Sequence, residues 1–66
     1  MGTKDTYTLL REKADKSLAA ALGKDRDFPR GPASRALVLN HMRNSGVFSP
    51  DQVEQAGNLL TAAGIQ

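Results

Sequence analysis

Residues 46–53 read Gly46-Val47-Phe48-Ser49-Pro50-Asp51-Gln52-Val53, a stop signal for one helix followed at once by a start signal for the next. Gly46 can take the left-handed conformation that ends a helix, with Val47 as the apolar residue just beyond. Ser49 has the side chain of an N-cap, an oxygen that accepts from an orphan backbone N–H. Pro50 fits N1, where a missing N–H costs nothing. Asp51 suits the positive end of the helix dipole. Gln52 stands at the capping-box position, and Phe48 and Val53 hold the two staple positions. Together they predict a rigid corner that turns one amphipathic helix back onto another.

C-terminal to this corner the pattern predicts a helix over about 50–63, closed by Gly64 and Ile65. Val53, Ala56, Leu60 and Ala63 form a narrow apolar stripe, while Asp51, Glu54, Asn58 and Thr61 face water. Gly57 inside a helix costs about 1 kcal/mol relative to alanine. It is either a close helix–helix approach, against the alanines of the first helix, or a tolerated surface glycine.

N-terminal to the corner a second helix is predicted over about 32–45, with Pro32 in its first turn. Val38, Leu39 and Met42 share one face, with Ala36 at its edge; Leu37 lies elsewhere, beside Asn40, His41 and Asn44. Such a wheel suits a central helix with two neighbours, or one that keeps a side for a partner. Before it, the stretch from Lys24 to Pro32 holds two prolines and a glycine and cannot be helix. Phe28, its one large apolar side chain, is expected to fold back and plug an end of the core. The first helix is predicted over about 6–22, N-capped by Asp5 and stopped by Gly23 in a left-handed conformation. Tyr7, Leu10, Ala14, Leu18, Ala21 and Leu22 fall on one arc, and Glu12 and Lys16 make an i,i+4 pair outside it. Leu9 points away from the arc.

The expectation is therefore all-α: one domain over residues 1–66, a small three-helix bundle whose second and third helices, joined by a turn at 46–49, are helix-turn-helix-like. The segment 23–31 is its loop. With 66 residues the chain buries only about 60% of the surface its unfolded form exposes, so its stability is expected to be marginal. A composition 39% hydrophobic and 24% charged is ordinary for a folded protein. No apolar run approaches the roughly 18 residues of a membrane span, and the N-terminus lacks a signal-peptide pattern. Cytoplasmic location and no membrane partner are the expectation. Gly2 with Thr6 matches the loose N-myristoylation pattern, which is too short to decide whether Gly2 is modified.

Chemistry-bearing residues are sparse. There is no cysteine and His41 is the single histidine. Positions i+3 and i+4 from it are Asn44 and Ser45, so no helical metal site is expected, and His41 reads as a surface histidine. Asp25 and Asp27 resemble the start of a calcium loop, but the later oxygen ligands, the turn glycine and the closing glutamate are missing. A solvated turn pairing them with Lys24, Arg26 or Arg30 is expected instead. Ser17, Ser34, Ser45 and Ser49 each have a capping or surface role, and no phosphate loop is present. No catalytic residue, no cofactor and no enzymatic activity are expected.

Two functional readings remain. Leu9 and Leu37, with Tyr7, Val47 and Ile65, exceed what a three-helix core needs. Leu37, His41 and Asn44 form an i, i+4, i+7 row suited to a helix-in-groove contact. These point to a protein-interaction module (a regulator, adaptor or inhibitor) that binds a larger protein or itself as a homodimer. The alternative is a DNA- or RNA-binding regulator. All nine Lys and Arg lie in residues 1–43 against five acids, while residues 44–66 carry only Asp51 and Glu54. Lys24, Arg26, Arg30, Arg35 and Arg43 are the densest basic set, with Arg35 and Arg43 within about 80° of each other on an ideal helix. The would-be recognition helix argues against it: Gln52, Gln55 and Asn58 could read adenine edges, yet it has two acids and no Lys or Arg.

Overall fold

Four helices, rather than three, make up the computed structural model, which describes residues 5–66: α1 (Thr6–Lys13), α2 (Lys16–Lys24), α3 (Arg35–Ser45) and α4 (Pro50–Ala62). No strand occurs among the described residues. Gly2 lies outside them.

The predicted first helix is two. Ala14 and Asp15 are extended, with ψ of 152° and 179°. Asp15 N-caps α2 by accepting from the Leu18 N–H at 2.8 Å. Its own N–H donates to Gln55 Oε1 at 3.3 Å, and Gln55 Nε2 donates to its free carboxylate oxygen at 2.9 Å. The break is thus held from α4, forty residues away. Glu12 and Lys16 fall on different helices, so their i,i+4 register does not apply. Gly23 does not stop the chain; it lies inside α2, which runs on to Lys24 with Asp25 as C-cap. The arc itself still faces inward: Leu10, Leu18, Ala21 and Leu22 are buried, with Tyr7 and Ala14 half-buried.

The other boundaries follow capping chemistry. α3 begins three residues later than Pro32, because Ser34 caps it by accepting from Leu37 N–H. It ends at Gly46, whose φ of 76° is the left-handed conformation that a side chain would strain. At the corner, Ser49 Oγ accepts from the Gln52 N–H and Gln52 Oε1 accepts from the Ser49 N–H, a complete capping box with Pro50 at N1.

α4 packs against α3 and α1, and α1 against α2. The core joins Leu10, Leu18, Leu22, Phe28, Val38, Leu39, Met42, Val53, Ala56 and Leu60. Each fully buried leucine contributes about 1.5–3 kcal/mol relative to exposure. Phe28 plugs one end, with edge contacts to Tyr7, His41 and Phe48 at 5.6, 5.7 and 6.4 Å between ring centroids. Ala63, expected in the stripe, is exposed. Gly57 is buried, but its close neighbour is α3 rather than the first helix: a Cβ there would stand 3.2 Å from Arg35 Nη2 and 3.4 Å from Leu39 Cδ1.

Candidate functional site

A groove of about 550 Å³ lies between α3 and α4. Spacing on α3 builds one wall: Arg35, Leu39 and Arg43 are each four residues apart and so share a stripe. The corner and α4 supply the rest, with Phe48, Pro50, Val53 and Gly57 as apolar floor and Glu54 and Asn58 as the opposite lip. The absent side chain of Gly57 deepens the floor. Across it lies Arg35, whose Nε donates to the Gly57 carbonyl at 3.3 Å. Arg35 also lines a smaller hollow of about 330 Å³ with Ala36, Thr61 and Ile65.

The five basic residues singled out in the sequence do not act as one set. Arg35 and Arg43 flank the groove. Arg30 is stacked on Tyr7, its guanidinium carbon 3.8 Å from the ring centroid. Arg11, which sequence reasoning left out, donates to the Tyr7 hydroxyl at 3.0 Å. Lys24 ends α2 and Arg26 sits in the turn after it, both exposed. Gln52 and Gln55, read as candidate base readers, are engaged internally. Gln52 Nε2 donates to Ser17 Oγ at 2.7 Å, and Gln55 clasps Asp15.

The apolar residues thought to be spare divide likewise. Leu9, Tyr7 and Ile65 pack against the core. Leu37 and Val47 remain outside, 54% and 36% exposed. The row Leu37, His41, Asn44 is not a uniform contact surface, because its middle member is occupied.

His41 has a partner that helical spacing could not reveal. Its Nε2 lies 2.6 Å from Asp25 Oδ2 across sixteen residues, and its ring and that of Phe28 make a T-shaped contact. Asp25, expected in a solvated turn, is only 7% exposed, and its other oxygen accepts from the Asp27 N–H at 3.0 Å. The pair has the hydrogen bond of an acid–imidazole dyad. Ser45 Oγ donates to the Met42 carbonyl, and the hydroxyls of Ser34 and Ser49 serve as caps. No cluster of three or more metal-binding side chains occurs among the described residues. No helix among them is long and apolar enough to cross a membrane.

The groove was legible only in part. Its two arginines and the special status of Gly57 are in the sequence, but the pairing of Gly57 with Arg35 and Leu39 requires the register of α3 on α4. Compared with protein-family models, curated proteins and solved structures, the chain matches none.

Proposed function

We propose that this chain is a non-enzymatic helical interaction module whose working surface is the groove between α3 and α4. α3, the corner and α4 are read as a helix-turn-helix-like unit that presents a slot to a protein segment, in the cytoplasm. The observation that carries this reading is the groove's make-up. An apolar floor of Leu39, Phe48 and Val53 offers anchor sites, and charged lips orient whatever enters. Elsewhere polar side chains that join the elements are matched to one another: Asp15 with Gln55 and Ser17 with Gln52 near the surface, Asp25 with His41 deeper in. The groove is where apolar surface and unmatched charge coincide.

The nucleic-acid alternative has less support. Arg30 is held on Tyr7, Arg35 reaches the Gly57 carbonyl, and α4 has no Lys or Arg to offset Asp51 and Glu54 against phosphate.

Selection of helical peptides from a displayed library, followed by amide chemical-shift mapping, tests the proposal. Binders should shift Leu39, Val53, Gly57 and Asn58 and leave Leu37, Asn40 and Asn44 unmoved. Shifts confined to the Leu37 side, or binding of duplex or single-stranded nucleic acid that weakens steeply with salt, would reject the groove as the working surface.

A further inference from the structure

Two charges on opposite lips of the groove are left uncompensated by the chain itself. Arg43 stands on the α3 lip and Glu54 on the α4 lip. Both are exposed, and neither has an ion-pair or hydrogen-bond partner among the described residues. Arg35 extends the basic lip; of its donors, Nε is committed to the Gly57 carbonyl. A groove with one basic and one acidic lip asks for an occupant carrying the same two charges in reverse order. The α3–α4 face of this same chain, which bears Arg43 on one helix and Glu54 on the other, is such an occupant.

We propose that a second copy of this chain covers the groove, the α3–α4 face of each copy packed on that of the other with the α4 lip opposite the partner's α3 lip. The inference rests on the groove being a docking surface and names what docks there. A two-fold axis running along the seam sets Glu54 of one copy against Arg43 and Arg35 of its partner, and by symmetry the reverse, so each contact is made twice. An axis across the seam would set Arg43 against Arg43 and is disfavoured by like charge. The favoured arrangement also covers Phe48 and Pro50, the part of the groove's apolar lining that the single chain does not bury.

Sedimentation velocity across a concentration series is the test, read with circular dichroism to confirm that each variant keeps its helices. The wild-type chain should approach the mass of two chains, and less so as salt rises. Arg43→Glu and Glu54→Arg should each raise the dissociation constant at least about tenfold, since the first turns two attractions into repulsions and the second, which also faces Arg35, four. The double variant Arg43→Glu/Glu54→Arg restores the opposite charges between positions 43 and 54 and should dimerise at least about threefold more tightly than either single variant, short of wild type because Arg35 still faces position 54. Arg43→Gln and Glu54→Gln, gentler to the fold, should weaken it in the same direction. Leu37→Asp, on the far side of α3, should change nothing. The proposal is overturned by a single-chain mass at every concentration, by a double variant that stays monomeric, or by a dimer lost through Leu37→Asp. A monomer whose groove still binds helical peptides would overturn this inference and leave the docking reading standing.

Discussion

Asp25 and His41 form the tightest long-range polar contact, and their energetics follow from burial rather than from charge alone. The Asp25 carboxylate is almost wholly removed from water, and with His41 gone it would retain only the Asp27 N–H. Leaving a buried acceptor short of its partner costs about 1–3 kcal/mol. His41→Ala should therefore lower the unfolding free energy by about 2 kcal/mol in urea titrations, with the loss of the ring's contact to Phe28 included. In a double-mutant cycle with Asp25→Asn, a coupling energy below about 0.5 kcal/mol would show that the pair is incidental. Nothing local signals this contact, because sixteen residues and an irregular loop separate the partners. Asp5 and Asp15 are different: both are exposed N-caps. The Thr8 N–H holds the Asp5 carboxyl below its ordinary value; the Leu18 N–H and then Gln55 do the same for Asp15. A carboxylate whose value is depressed by folding stabilises the fold above its unfolded value, about 3.9, and loses that contribution as pH falls through the folded one. Asp15→Asn keeps a capping oxygen and removes the charge, so its melting temperature should fall less steeply on acidification than that of the wild type.

Helix boundaries separate what was legible from what was not. The capping of the corner at 46–53 was readable, because its signals act within a few residues: Gly46, the reciprocal Ser49–Gln52 bonds and Pro50; Val47, read as the apolar residue that accompanies the Gly46 stop, instead stays exposed with its N–H on Ser45 Oγ. Ser49→Ala should cost about 1 kcal/mol and lower the helix content of α4 first, measurable by circular dichroism and amide exchange. The division of α1 from α2 was misread for the opposite reason. Asp15 can cap a helix, yet the arc of Leu10, Leu18 and Leu22 fits an unbroken one equally well. What decides is Gln55 on α4, which holds the extended backbone of the break. Gly57 lies between these cases. Its cost within a helix is visible in sequence, but the partner is α3. Gly57→Ala would crowd the exposed end of Arg35, which can swing away, while gaining helix propensity. A net stabilisation of roughly 0.5 kcal/mol in thermal or urea unfolding is expected. A loss of more than about 1 kcal/mol would mean that Arg35 and Leu39 are fixed and the groove floor is rigid.

At the scale of the whole molecule, the connections converge on one ring. Phe28 belongs to no helix, yet it touches Tyr7 on α1, His41 on α3 and Phe48 at the corner. Its burial was expected because it is the one large apolar group in a loop that cannot be helical. Its convergence on three elements was not, since those contacts depend on how the helices meet. α2 and α4 are tied elsewhere, through Gln52 to Ser17 and Gln55 to Asp15. Losing Phe28 would therefore detach the loop, the α1 end and the α3 face together. Truncating a buried phenylalanine costs about 3–5 kcal/mol. A chain of this length has a total stability of about 3–10 kcal/mol by the usual per-residue range. The two quantities are comparable, so Phe28→Ala should leave a large unfolded fraction at physiological temperature, seen as lost helical ellipticity and a shallow urea transition. Phe28→Leu keeps most of the volume and should retain the fold at a cost of about 1–2 kcal/mol. The contrast decides the point: if Phe28→Ala stayed as cooperative as Phe28→Leu, the helices would be holding together through the α3–α4 and α1–α4 seams alone, and the aromatic cluster would be a surface plug rather than the place where the elements join.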